Sequence, residues 1–145
     1  MKTAIFPGTF DPFTKGHADI VARGLEIFDR IIIAVGINEN KIPCESTDAR
    51  LAAISCLYKD EDRVGVCAYS GLTTDFARQQ EAQFILRGVR SVKDYEYERD
   101  IADINWRLSG VETVLLFSRP QLAAISSSLI RELLHNGKDV SDFLP

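Results

Sequence analysis

Cysteine is scarce in this sequence: Cys44, Cys56 and Cys67 are the only three among 145 residues, and no two have Cys-x-x-Cys spacing. An odd, scattered set argues against a disulfide framework and for a reduced, cytoplasmic protein. Histidine is scarcer still, with His17 and His135 alone. Two histidines and three distant cysteines offer no zinc-ligand spacing, and no metal-ligating residue is assigned. Basic charge is not in excess, since 17 Lys and Arg face 21 Asp and Glu for a net charge of −4. That argues against general binding of nucleic acid or anionic membrane, which would favour a basic face. The longest strongly apolar run, "IIIAVGI" from Ile31, is far short of the roughly 20 residues that span a bilayer. Met1-Lys2 runs quickly into Pro7-Gly8, so no signal-peptide core is expected. Repeats, low-complexity stretches and linkers are missing too. So are the Walker pattern GxxxxGK[ST] and the dinucleotide turn GxGxxG.

What is there is a regular alternation. Apolar residues make up 46% of the chain, enough for a real core in a single domain spanning residues 1–145. "TAIF", "RIIIAVGI", "RVGVCAY", "QFILRGV" and "ETVLLFS" read as five strands, the second without polar alternation, as in a strand buried on both faces. Between them, helical spacing joins Ala18, Val21, Ala22, Leu25 and Phe28. It recurs over Leu51, Ile54, Leu57 and Tyr58, and over Ile101, Ile104 and Leu108. A short helix is expected from about Thr74-Asp75. Ser91 and Asp94 have capping-box spacing, and "ISSSLIRELLHNG" reads as a serine-capped helix closed by Gly137. The pattern predicts an α/β fold: a Rossmann-like, doubly wound, five-stranded parallel sheet with helices on both faces. In such sheets ligands sit beyond the carboxyl ends of the strands, where strand order reverses.

The chemistry-bearing residues fall just after strands. In "PGTFDPFTKGH", residues 7–17, Gly8 and Thr9 turn the chain sharply, and Gly16 and His17 open a helix. Helix-start amides attract phosphate, and Thr and His side chains beside them can donate to phosphoryl oxygens. The plainer account is a tight turn with a capping histidine. In "RGVRSVKDYEYE", Arg87 and Arg90 flank Gly88 and form a fork suited to phosphate; the plainer account is surface arginines on a turn. Lys41 is the only lysine in the loop after the second strand, which should overhang the same crevice. Ser126, Ser127 and Ser128 supply more hydroxyls than one cap requires, which suits a polyphosphate tail. Most of "YEYERD" reads as a solvated helix face, and Trp106 as a packing or subunit-contact residue. Together these elements form a donor-rich, locally basic crevice on an acidic protein, which fits a small anionic substrate better than a polymer.

Taken in order, "PGTFDPFTKGH", the lysine of "NENKIP", "RGVRSVKDYEYE" and "ISSSLIRELL" resemble the phosphopantetheine adenylyltransferases, within the nucleotidyltransferases bearing the [HT]xGH signature. Here that signature is Thr14-Lys15-Gly16-His17. The resemblance implies transfer of the adenylyl group of ATP to 4′-phosphopantetheine, giving dephospho-coenzyme A and pyrophosphate. It also implies Mg2+ bound through ATP phosphates, a cytoplasmic homohexamer and feedback binding of coenzyme A. Carried over by position, it implies catalytic roles for His17, Lys41 and Thr9. Thr9, Phe10, His17, Gly88, Val89, Arg90, Glu98, Leu122, Ala123, Ala124, Ile125, Ser126, Ser127 and Ser128 would line the ATP site. Thr9, Lys41, Thr73 and Arg87 would bind phosphopantetheine. Two rivals remain at this stage: a cytidylyltransferase-like enzyme for another small molecule, and a non-catalytic nucleotide-binding regulatory module.

Overall fold

In the computed structural model, which describes residues 1–145, the five β-branched segments become strands β1 (Thr3–Gly8), β2 (Arg30–Gly36), β3 (Val64–Tyr69), β4 (Phe84–Val89) and β5 (Glu112–Phe117). Helices α1 (Lys15–Gly24), α2 (Thr47–Leu57), α3 (Thr73–Gln79) and α4 (Val92–Ser109) connect them in turn, and α5 (Ser127–His135) follows β5. All pairings are parallel and the strand order is β3-β2-β1-β4-β5. The order therefore reverses between β1 and β4.

Alternate residues of the central strands enter two separate cores, as the two-residue period of a strand requires. Ala4, Phe6, Ile31, Ile33, Val35 and Leu86 pack with Ile20 and Val21 of α1 and Ile54 of α2. Ile5, Ile32, Ala34 and Ile85 pack on the other face with Phe76 and Ala77 of α3. Full burial of side chains such as Ile31 and Ile33, both at 0% exposure, contributes roughly 1.5–3 kcal/mol each. Both faces of the sheet are thus covered, which explains why β2 shows no polar alternation.

Pairing is uneven at the reversal point. β1 stays in register with β2 over its whole length, Thr3↔Arg30 to Gly8↔Val35. With β4 it pairs only at Ala4↔Phe84 and Ile5↔Ile85. Past Ile5 the two strands part. The Pro7 carbonyl, left without a β4 amide, accepts a 2.6 Å hydrogen bond from Nη1 of Arg87. The crevice begins in this split.

Two local expectations change. Ser91 does cap α4, its hydroxyl accepting from the Asp94 amide at 3.2 Å. The Asp94 carboxylate, however, reaches back to the Arg90 amide rather than to Ser91. The periodic apolar residues of α4 are the other case. Ile104 and Leu108 are 54% and 60% exposed, and the only buried residue of the helix is Glu98. The helical period is as read, but in the single chain that stripe faces outward.

Candidate active site

The loop after β1 is shaped by its own aromatic residue. Phe10 has φ of 52°, in the left-handed region that L side chains seldom adopt. Its ring folds back under the strand end: a Cβ on Gly8 would lie 2.8 Å from Phe10 Cζ, so only glycine fits there. Phe10 is 3% exposed and packs in the core with Phe6, Phe13 and the His17 ring. A ligand can therefore meet Phe10 only through its backbone. The Thr9 and Phe10 amides have no partner in the chain, nor does the Thr9 hydroxyl. Carbonyls of the same loop are taken by arginines: Arg50 Nη1 donates to Thr9 at 2.7 Å and Arg131 Nη1 to Asp11 at 2.9 Å. Acceptors are capped and donors are left free.

His17 is both the capping residue and the free donor. Its Nδ1 lies 3.0 Å from the Thr14 amide, and its own amide donates to Thr14 Oγ1. An amide can only donate, so Nδ1 is the acceptor and the proton of the neutral ring resides on Nε2. Burial, reinforced by the charges of Arg87 and Arg90, lowers its pKa from 6.5 to about 4. At neutral pH the ring is uncharged, with its Nε2–H as the donor available to the cavity it lines.

That cavity, about 580 Å³, is bounded by Thr9, Phe10, Gly16, His17, Lys41, Arg87, Gly88, Arg90, Glu98, Leu122 and Ile125 to Ser128. The structure thus brings most of the expected residues together. Three expected residues do not line it. Val89 is 3% exposed, its side chain in the interior and its carbonyl held by the Ser118 amide. Ala123 and Ala124 lie on a turn closed by a hydrogen bond from the Ile125 amide to the Leu122 carbonyl, which carries them off the cavity wall. The three serines are also more committed than expected. Ser126 accepts from the Leu129 amide, Ser127 donates to the Pro12 carbonyl, and Ser128 accepts from Arg131. What remains for an anion are the O–H protons of Ser126 and Ser128 and the unpartnered amides at the start of α5.

Arg87 is not a free fork. Its Nε lies 3.0 and 3.1 Å from the two Glu98 carboxylate oxygens, its Nη2 2.7 Å from Oε1, and its Nη1 on Pro7. Glu98, 5% exposed, is accordingly the counter-charge of Arg87. Arg90 is more open, 42% exposed and 3.4 Å from Asp94. A second cavity of about 780 Å³ shares Pro7, Gly8, Thr9, Arg87, Tyr97 and Glu98 with the first. It extends to Asn38, Ser70, Asn105 and Thr73, whose hydroxyl meets Tyr69 Oη at 2.9 Å. Thr9 and the Arg87–Glu98 pair are therefore in the wall common to both cavities.

Sequence reasoning missed Asp11, Arg50 and Arg131. Asp11, 3% exposed, accepts from the Cys44 and Glu45 amides at 2.9 and 3.1 Å, tying the loop that carries Lys41 to the loop that carries Thr9. A turn residue that is buried and bonded 33 positions away gives no local signal. Arg131 sits one turn into α5, directly over the serine cap, and that spacing could have flagged it. No group of three or more His, Cys, Asp or Glu is placed to cage a metal ion, and the two acidic residues of the cavity that His17 lines are both engaged by arginines. A divalent cation here would be held by phosphate oxygens of a ligand.

Residues 5–133 match the cytidylyltransferase-like family. The chain is 57% identical over all its 145 residues to the phosphopantetheine adenylyltransferase of Phocaeicola vulgatus, covering 96% of that protein. It is 56% identical to that of Bacteroides thetaiotaomicron, again over the whole chain and 96% of the relative. Among solved structures it is similar to a bifunctional NMN adenylyltransferase/ADP ribose pyrophosphatase from Francisella tularensis, with TM-score 0.74, 17% identity and 99% of this chain matched. A form of that protein complexed with AMP and a manganese ion gives TM-score 0.69. The chain spans 44% of those structures' length, and at such identity the likeness is one of fold.

Proposed function

The chain belongs to the phosphopantetheine adenylyltransferases, and from that premise we propose that the paired cavities bring ATP and 4′-phosphopantetheine together at Thr9. The enzyme transfers the adenylyl group of ATP to 4′-phosphopantetheine and releases pyrophosphate. The observation that carries the reading of the site is the shared wall: two cavities meet at one hydroxyl, one arginine and the free amide of Thr9. The larger takes the pantetheine arm past Thr73, and the smaller takes the nucleotide.

An oxygen of the acceptor phosphate attacks the α-phosphorus, and the bond from that phosphorus to the bridging β-oxygen breaks. The nucleophile is already anionic, so no covalent enzyme intermediate is required. The chain's task is to align two anions and to hold charge as it spreads. The His17 Nε2–H, preset by Thr14, donates to the α-phosphoryl group without adding or losing a proton. Thr9 orients the acceptor with its hydroxyl and amide. Lys41 makes no ion pair in the chain and supplies a mobile positive charge over the cavity mouth. Arg87 presents its remaining N–H bonds to the acceptor phosphate, while Arg90 and the α5 amides face the departing pyrophosphate. Mg2+, carried on the ATP phosphates, would supply further charge neutralisation.

The reading extends to a cytoplasmic enzyme that assembles as a homohexamer and binds coenzyme A as a feedback ligand. The outward stripe of α4, with Ile104 and Leu108 both more than half exposed, supports self-association. The deciding assay is pyrophosphate release with three acceptors. Release with phosphopantetheine, and none with glycerol phosphate or nicotinamide mononucleotide, is expected. The reverse pattern would move the chain to a different substrate.

A further inference from the structure

Beside the nucleotide-sized cavity lies a third, of about 250 Å³, lined by Thr9, Asn38, Lys41, Ile42, Arg50 and Arg131 among others. Its only charged lining residues are the cations Lys41, Arg50 and Arg131. Arg50 is 4% exposed, yet its guanidinium touches only neutral oxygens, those of the Thr9 carbonyl and the Thr47 hydroxyl. Its Nε is buried without any partner. The Arg131 guanidinium likewise meets only the Asp11 carbonyl and Ser128 Oγ, and the Lys41 ammonium meets no acceptor. No carboxylate approaches any of the three within 4.0 Å. The buried carboxylate of this region, Asp11, spends both oxygens on the Cys44 and Glu45 amides.

A buried cation without a counter-charge is costly, and acidic residues are plentiful in this chain. We propose that this cavity is a second anion site, which takes inorganic pyrophosphate after it leaves the nucleotide. The assignment rests on the adenylyl-transfer reading for the identity of its occupant. The site's volume, below the roughly 300–1,000 Å³ typical of pockets for larger organic ligands, suits a diphosphate and excludes a nucleotide. Thr9, Lys41 and Arg131 line both cavities, so the anion passes from one to the other without losing its positive neighbours. Arg50 faces the third cavity alone.

The test is calorimetric titration of sodium pyrophosphate into the protein, free and then saturated with a non-hydrolysable ATP analogue. Binding that persists in the saturated protein is expected. Its abolition there would mean that pyrophosphate uses only the nucleotide cavity, and would overturn the proposal. Arg50→Gln is expected to weaken pyrophosphate binding to the saturated protein by about tenfold or more. Because Arg50 also holds Thr9, Ile42→Glu provides a second arm. Ile42 is 99% exposed, so the change leaves the fold intact and sets a negative charge at the rim. Pyrophosphate affinity of the saturated Ile42→Glu protein equal to that of the parent would likewise overturn the proposal. None of these titrations requires turnover, so they stand apart from the acceptor assay above.

Discussion

His17 joins local folding to chemistry in one ring, and replacing it separates the two. In His17→Ala the Thr14 amide loses its acceptor, a capping loss of about 1 kcal/mol, and the cavity loses its Nε2–H donor. Removing one preorganised transition-state donor lowers kcat by about 10²–10³. His17→Gln is the informative partner: Gln at this helix position restores a capping-box acceptor and offers an amide N–H in place of Nε2–H. Its stability should match the parent and its kcat should fall between the other two. Proton linkage gives an independent check. A fall in pKa from 6.5 to about 4, caused first by burial, means that the unfolded chain binds a proton the folded one refuses between those values. Stability is then complete above pH 6.5 and is lost as pH falls through 6.5 towards 4, by at most about 3 kcal/mol. In His17→Gln that loss disappears from the acid limb of the unfolding curve. The assays are kcat at saturating substrates, urea unfolding from pH 7.5 to 4, and the imidazole proton shift followed by NMR. A ring that titrates above pH 6, or a His17→Ala enzyme with near-normal kcat, would refute the assignment of His17 as a neutral donor.

The two arginines of the crevice should fail differently. Arg87→Ala strands Glu98, a buried carboxylate, so it should lower the unfolding midpoint by an amount worth about 3–5 kcal/mol and weaken phosphopantetheine. Arg87→Ala combined with Glu98→Gln should recover stability but not affinity. Arg90→Ala, at a more exposed pair, should leave stability within about 1 kcal/mol and weaken ATP about tenfold; titration of both variants with each substrate checks this, and loss of one and the same ligand in both would contradict it. Light scattering at micromolar concentration should give a mass several times that of one chain. Ile104→Glu on the outward stripe of α4 should reduce that mass, and a monomeric parent protein would remove the hexamer from the reading.

The fold was legible because its signals are local and repeated. The apolar run of β2 announced a doubly covered strand, and Ser91 and the serine run from Ser126 each stand where a helix begins. The site was legible to the extent that it sits at strand ends. What sequence could not give was the spending of each group. "RGVR" looks the same whether Arg87 is free or locked to a glutamate eleven residues later. "SSS" does not say which hydroxyl keeps its proton. Arg50 and Asp11 act across gaps of more than 30 residues, and long-range pairing leaves no periodic mark. The apolar stripe of α4 was readable as a stripe, but spacing alone does not say whether a sheet or a second chain covers it.

Pro7 sits within the central strand, where a proline ordinarily argues against a strand. In an extended chain the carbonyl and nitrogen of one residue point to the same side, and the Pro7 carbonyl points to Arg87 of β4. Its missing N–H is therefore missing on the β4 side, one step after the last β1–β4 pair. The sheet behaves there like a zipper with a stop sewn in. The slider cannot travel further, whatever occupies the crevice, because the next tooth was never made. The mouth of the site is thus a covalent property of the chain, present before any ligand arrives. No binding free energy is diverted to parting the strands, and a residue with an amide at position 7 would give the sheet a reason to close over its own active site.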